Sequence, residues 1–245
     1  MSNLGALVVH GLFEHEGRHK DNVEWLKNLG IETYSFNLPG HGDVDEKGHV
    51  DSWDENIEAL VNAYNNISDK DKKIIFAHSY GSLVSVSAIL REKVDPDYLI
   101  LSAPTFDDNY PKFIKNMSGI LSKVFPKLRA PSPVNRKNLS TDKETVDSYF
   151  NDPLVFRSLT FKFGSEITNE QIFVNENIEK LKTPTLVLHG DQDKIVPIKA
   201  SEDISKLENV KFITVENSKH EILNQDTRTF VLSEIHQWFK EKNII

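Results

Sequence analysis

No cysteine occurs in the 245 residues of this chain. Disulfides, thiolate nucleophiles and cysteine-based metal centres are therefore excluded. The absence says nothing about redox compartment, since a cysteine-free chain is at home on either side of a membrane. Basic residues are in deficit: 29 Lys and Arg stand against 37 Asp and Glu, a formal net charge of -8. A nucleic-acid partner is not expected, because phosphate binding needs a basic face. Strong attraction to anionic membranes is not expected either. No apolar run approaches the ~20 residues that span a bilayer. Met1-Ser2-Asn3 runs straight into a strand signal, with no basic n-region or signal-length apolar h-region, so a cytoplasmic location is expected. The phosphate-cradling patterns G-x-G-x-x-G and G-x-x-x-x-G-K-[ST] are missing, and no cofactor is expected. Internal repeats and low-complexity segments are missing too.

What is present is ordinary globular composition, 38% hydrophobic and 27% charged, at a length that suits one large α/β domain. Apolar runs and amphipathic stretches alternate. Leu4 to Val9 reads as a buried strand. Arg18 to Leu29 reads as a helix stopped by Gly30. Ile31 to Asn37 is a strand, Asp51 to Ile67 a helix, Ile74 to Ala77 a strand, Tyr80 to Arg91 a helix and Asp97 to Leu101 a strand. After Pro184 the alternation resumes with strands at Thr185 to Leu188 and Val210 to Val215, each followed by a helix. Such alternation implies a mostly parallel, doubly wound sheet of about six strands. Between Thr105 and Glu166 strand signals vanish. Pro111 opens a helix with Phe113, Ile114, Met117, Ile120, Leu121 and Val124 at helical spacing, and Thr141 to Phe150 is a second helix. Residues 105–166 are therefore expected to form a helical cap, inserted into a core of residues 1–104 and 167–245. Its apolar stripe can pack on that core, line an acyl pocket, or do both, with packing on the core the favoured reading for any single residue.

In a sheet of this kind functional groups gather at the carboxyl ends of the strands. Ser79 stands between a strand and a helix, with the small residues Ala77 and Gly81 on either side. A sharp strand-to-helix turn at a serine lifts its hydroxyl above the sheet and aims the helix N-terminus at whatever it attacks. Asp193 follows the next-to-last strand and His220 the last. Serine, acid and histidine in that order suit a nucleophile, an orienting carboxylate and a general base. Asp191 competes with Asp193 for the acid, with Asp43 and Asp107 as lesser rivals. His78 is expected to pack beneath the turn. The amides of Tyr80 and Leu12, with Phe13 as runner-up to Leu12, are the candidate oxyanion donors. Phe13, Ile114, Met117 and Ile195 are candidate substrate-pocket residues. His10, Glu14, His15 and His19 crowd into one short stretch, yet neither H-E-x-x-H nor H-x-x-E-H is met, and no metal site is expected.

Taken together, these residues resemble the monoglyceride lipase and lysophospholipase branch of the α/β-hydrolases. The pattern H-G-x-x-E-H-x-x-R-Y appears as His10-Gly11-Leu12-Phe13-Glu14-His15-Glu16-Gly17-Arg18-His19, with His19 in place of tyrosine. D-x-x-G-H-G resembles Asn37 to Gly42, with Asn37 in place of the acid. G-H-S-x-G-G appears as Ala77-His78-Ser79-Tyr80-Gly81-Ser82, departing at Ala77 and Ser82. N-D-P-L-V stands in full at Asn151 to Val155, and H-G-x-x-D at His189 to Asp193. The family usually carries further strands ahead of the first one seen here, so the chain resembles a minimal version. The resemblance implies an α/β-hydrolase fold and a serine hydrolase acting on a small-molecule ester: a monoacylglycerol, a lysophospholipid or another single-chain carboxylic ester. It also implies transient lipid-surface contact through the cap. A short-chain carboxylesterase, a peptidase and a non-catalytic binder of small apolar ligands are the alternatives.

Overall fold

The computed structural model describes residues 3–107, 119–224 and 226–245. Eight strands and eight α-helices alternate along these residues. They are β1 (Leu4–Val9), α1 (Lys20–Asn28), β2 (Glu32–Phe36), α2 (Asp54–Tyr64), β3 (Lys72–His78), α3 (Tyr80–Leu90) and β4 (Tyr98–Ser102). Then come α4, helical over 119–124, β5 (Arg129–Pro131), α5 (Lys143–Asn151), β6 (Ser158–Thr160) and α6 (Phe161–Asn177). The chain closes with β7 (Thr185–Gly190), α7 (Lys199–Ile204), β8 (Val210–Val215) and α8 (Arg228–Glu241).

Six strands form one wholly parallel sheet in the order β2-β1-β3-β4-β7-β8. The order reverses beside β1, so β3 sits mid-sheet with its carboxyl end open to both halves. Side chains alternate between the faces, as period-2 strands require. Leu7, Val9, Ile75 and Ala77 face a core with α2, α3 and α6. Ala6, Val8, Ile74 and Phe76 face a second core with α1 and α8, centred on Trp238 and Phe239. No helix among the described residues is long and apolar enough to cross a membrane.

The segment between β4 and β7 differs from the expectation in four ways. It contains a two-stranded antiparallel ribbon, Arg129–Pro131 against Ser158–Thr160. Three-residue strands carry no readable period, and Pro131 reads as a breaker. Thr160 then caps α6, its hydroxyl accepting from the Phe163 amide at 3.2 Å, and this one helix runs from the inserted segment into the core. There Glu170 receives Arg91, the C-cap of α3, through two hydrogen bonds of 2.5 and 3.0 Å. Ile120 and Val124, expected to pack on the core, are 66% and 61% exposed, with Phe125 and Leu128 exposed beside them. Helix α5 starts two residues later than expected because Asp142 caps it, accepting from the amides of Glu144 and Thr145.

Candidate active site

Ser79 joins β3 to α3 in a backbone conformation that non-glycine residues rarely adopt, φ 47° and ψ −116°. Such strain persists only where the surroundings impose it. Here the turn presses α3 against β1: a Cβ at Gly81 would lie 2.5 Å from the His10 carbonyl oxygen and 2.7 Å from that of Val9. Glycine at 81 is thus a packing requirement. Ala77, by contrast, puts its methyl into the core beneath α2 and α3, so the elbow tolerates it in place of glycine. Ser82, the other departure, donates its hydroxyl back to the Ala77 carbonyl at 3.2 Å.

Asp193 and His220 are carried to the same rim by the loops after β7 and β8. Gly190 makes this possible, because any Cβ there would run into the carbonyls of Ser218 and Lys219. His220 Nδ1 lies 2.6 Å from Asp193 Oδ2, and Nε2 lies 2.9 Å from Ser79 Oγ. The Asp193 side chain is wholly buried and accepts three further hydrogen bonds, from the amides of Ile195 and Val196 and from His189 Nε2 at 3.1 Å. Burial opposes its ionisation, but His220 and His189 outweigh that and hold its pKa far below the usual carboxylate range. Burial likewise disfavours a charged His220, yet Asp193 wins and raises its pKa above the ordinary histidine value. Asp191 does not compete for this place: its carboxylate accepts from the Ser218 amide at 3.1 Å and shapes the loop that carries His220. Asp43 is exposed away from these contacts, and Asp107 is exposed too. His78 lies under the turn, its ring 5.0 Å from that of His220 and its Nδ1 3.1 Å from Ser102 Oγ.

The proton inventory is closed. A carboxylate only accepts, so His220 Nδ1–H donates to Asp193 and Nε2 accepts from the Ser79 hydroxyl. Ser79 Oγ has a second partner at 2.9 Å, Thr105 Oγ1. With the serine proton committed to His220, Thr105 must donate. Sequence reasoning missed Thr105, which belongs to no motif. The strand register was the available signal, because His78 pairs with Ser102 and the residues just beyond must meet.

The Gly11–Phe13 loop faces Ser79. His10 Nδ1 donates to the Gly11 carbonyl, and Nε2 accepts from the Leu38 amide, which locks one neutral tautomer; burial, with His41 nearby, drives its pKa well down. Glu14 Oε1 accepts from the Gly11 amide at 2.7 Å and from His19 at 2.8 Å, while Oε2 meets Arg18 at 3.0 Å. Arg18 also reaches Glu221 at 3.4 Å. Burial alone would raise both carboxyl pKa values, but His19, His78 and Arg18 hold Glu14 well down, and His78 and Arg18 hold Glu221 at about 2. This buried ionic network was also missed; its members had drawn notice only as a rejected metal cluster. His15 has its own task, binding Asp152 of the inserted segment at 2.8 Å. Phe13 sits at φ 72° and its carbonyl accepts from the Phe156 amide at 3.1 Å. The amides of Leu12 and Tyr80 have no acceptor among the described residues, and both residues line the cavity over Ser79.

That cavity holds about 330 Å³. Phe13 and Ile195 line it, with Leu139, Leu159 and Ile167 from the inserted segment and α6. Ile114 and Met117 lie outside the described residues. An imidazole bonded to a hydroxyl on one side and a buried carboxylate on the other, at the foot of an apolar cavity, has the parts for acyl transfer.

Residues 5–227 match the family Hydrolase_4, described as serine aminopeptidase, S33. A monoacylglycerol lipase of Mycolicibacterium smegmatis is 24% identical over 95% of this chain and 86% of its own length. The human monoglyceride lipase is 23% identical over 96% of this chain and 82% of its own. Among solved structures, the monoacylglycerol lipase of Paleococcus ferrophilus superposes with a TM-score of 0.87 at 24% identity, over 95% of this chain and 93% of that one. A soluble variant of the Saccharomyces cerevisiae monoglyceride lipase gives 0.86 at 19%, over 98% and 87%. With the family match covering nearly its whole length, the chain belongs to the Hydrolase_4 (serine aminopeptidase, S33) family and has the α/β-hydrolase fold.

Proposed function

We propose that the protein is a serine hydrolase of single-acyl lipid esters, with monoacylglycerols as its leading substrate class, working through an acyl-enzyme. The observation that carries this is the unbroken hydrogen-bond path from Asp193 through His220 to Ser79 at the foot of an apolar cavity. In this reading His220 takes the Ser79 proton as Oγ attacks the ester carbonyl, and Asp193 stabilises the imidazolium that forms. The amides of Leu12 and Tyr80 hold the oxyanion; losing one such donor typically costs ~3 kcal/mol of barrier. His220 then protonates the departing alcohol, and water repeats the sequence to free the fatty acid.

The segment 105–166 serves as the cap of the cavity. Ile120, Val124, Phe125 and Leu128, exposed beside Lys123 and Lys127, are the surface through which it touches lipid transiently. A cytoplasmic site of action is part of the same proposal. The family's name invites an aminopeptidase reading, which needs a carboxylate free to bind a substrate ammonium. Among the described residues, the two carboxylates that line the cavity, Glu14 and Glu221, are already engaged by Arg18, His19 and Asn224.

The test is Ser79→Ala assayed on a medium-chain monoacylglycerol. Turnover should fall by about 10⁴-fold or more, and a fluorophosphonate should label the native protein at Ser79 alone. Undiminished turnover in the variant refutes the proposal, and folded native protein that takes no label points to a binder. A rate maximum at acetyl esters would favour the short-chain carboxylesterase.

A further inference from the structure

One polar group in the cavity has no task in the chemistry above. Gln171, on α6, is 3% exposed and lines the cavity. Its Nε2 donates to the Thr105 carbonyl at 3.3 Å. A carbonyl can only accept, so that bond fixes which end of the amide is which and leaves Oε1 as the free end. Gln171 Oε1 is buried and has no hydrogen-bond partner among the described residues. A buried amide acceptor without a donor carries a desolvation cost, and natural structures rarely keep one unless a ligand or water satisfies it. On the same helix Phe163, Ile167 and Val174 belong to the core, and the polar neighbours are matched: Thr168 bonds the Gly164 carbonyl at 3.1 Å, Asn175 the Phe106 carbonyl at 2.7 Å, and Glu170 holds Arg91. Leucine or valine at 171 would extend that surface at no such cost.

The position relative to Ser79 says which part of a substrate meets it. The carbon attacked by Oγ acquires four substituents. One is Oγ itself. The oxyanion points to the amides of Leu12 and Tyr80. The leaving oxygen must lie beside His220 Nε2, which protonates it. The acyl chain takes the remaining direction. His220 arrives with Ile222 and Leu223 from the side of the sheet covered by α1 and α8. Thr105, Phe106 and α6 belong to the opposite side, with α2 and α3. The Gln171 amide therefore borders the acyl chain and not the alcohol.

We propose that Gln171, positioned through Thr105, is a specificity-determining acceptor for a hydroxyl on the acyl chain close to the ester carbonyl, so that esters of hydroxylated fatty acids are preferred over their plain counterparts. This rests on the hydrolase reading above and adds a substrate class to it. The acyl hydroxyl donates to Gln171 Oε1. The rest of the chain runs on along Leu159, Ile167 and Ile195. Thr105 stays with Ser79 Oγ, to which it donates, and holds the Gln171 amide through its own carbonyl.

The experiment compares kcat/KM for 1-decanoylglycerol with that for the 2-hydroxy- and 3-hydroxydecanoyl glycerols, each enantiomer separately. For the native protein at least one hydroxylated ester should exceed the plain one by roughly 10-fold, the scale of one added hydrogen bond to a buried group. In Gln171→Leu that ratio should fall to about one, through loss on the hydroxylated ester, while the plain ester stays within about 3-fold. The rate of fluorophosphonate labelling checks that the variant is folded and its serine active. A residue that merely props α6 would lower both esters together and leave their ratio alone. A native ratio at or below one for every isomer overturns the inference, and so does an unchanged ratio in the variant. If instead Ser79→Ala hydrolyses plain decanoylglycerol as the native protein does, it is the hydrolase reading that falls.

Discussion

The two sides of the Ser79 hydroxyl are built by different rules. Toward His220 nearly every polar atom is buried and matched: Asp193 accepts four hydrogen bonds, and Glu14, Arg18 and Glu221 form a closed ionic network. Toward α6 and the inserted segment the walls are mostly apolar, interrupted by Thr105, Thr160, Thr168 and Gln171, and the outer surface exposes Ile120, Val124 and Phe125. The difference follows from what each side would do. Proton transfer needs fixed dipoles and a set pKa, which only a rigid and fully partnered cluster supplies. Enclosing an alkyl chain needs area without direction, and exposed apolar surface is acceptable where lipid covers it.

The largest effect should come from breaking the polar side. Asp193→Asn keeps the shape but offers an amide where two histidine nitrogens meet a carboxylate. The rate should fall by about 10⁴-fold, the scale of such a change in an orienting aspartate, with the melting temperature affected far less. The pH profile sharpens the point. His220 must be neutral to act as base, so kcat/KM rises with pH through its pKa, and Asp193 has raised that pKa above the ordinary ~6.5. In the variant the ascending limb should move to lower pH even as the plateau drops. Stability has the opposite sign. The attraction stabilises the fold fully below the unfolded histidine pKa and fades as pH rises through the folded one. Asp193 adds its share above the unfolded aspartate pKa of ~3.9, lost as pH falls toward its depressed folded value. The pair thus contributes most between about pH 4 and 6.5, where the reaction is slow. A limb that stays put in Asp193→Asn would mean that His220 is not the base.

A smaller break tests how the loops bring the two residues together. Gly190→Ala places a methyl against the carbonyls of Ser218 and Lys219. These are backbone atoms and cannot turn aside as a side chain would, so the His220 loop must lift. Overpacking of this kind costs about 1–3 kcal/mol. Displacing the imidazole by ~1 Å should also cost about 10²-fold in rate. Circular dichroism melts and ester turnover together decide this. A variant melting like the parent, with full activity, would show that the loop is not held by this contact.

Much of this was legible in the sequence, for identifiable reasons. The parallel strands are short apolar runs bounded by turn residues, and each candidate for the chemistry stands just past one of them. Ser79, Asp193 and His220 could therefore be named from strand ends and chain order alone. Asp191 and Asp193 could be ranked but not separated, because both are carboxylates in one loop and only coordinates show that one takes the Ser218 amide. Thr105 and Gln171 were not legible. Neither belongs to a spacing pattern, and their meeting depends on how α6 docks through Glu170 and Arg91 onto α3, a long-range event. Of the stripe read from Phe113 to Val124, Phe113, Ile114 and Met117 lie outside the described residues, and Ile120 and Val124 are exposed where the spacing favours packing on the core. Helical periodicity reports an apolar face without saying whether protein or lipid will cover it.

That stripe allows the apolar side to be broken with the least damage. Ile120→Ser with Phe125→Ser removes two exposed side chains, 66% and 56% accessible, that meet nothing in the core. Folding should hardly notice, with a change within about 0.5 kcal/mol. Turnover of a dissolved short-chain ester should stay within about twofold, since none of the groups around Ser79 moves. On monoacylglycerol presented in vesicles the variant should be slower. Burying two such side chains in lipid is worth about 2–4 kcal/mol at most, so partitioning should fall by up to about a thousandfold and more modestly if insertion is shallow. Co-sedimentation with neutral and anionic vesicles measures this directly, and the exposed Lys123 should make the anionic ones somewhat the better partner despite the overall charge, whereas Lys127 is paired with Glu46 at 3.1 Å. Equal loss on the dissolved and the vesicle-borne ester would mean that the stripe acts through the fold of the inserted segment, and the two sides of Ser79 would then be coupled rather than separately built.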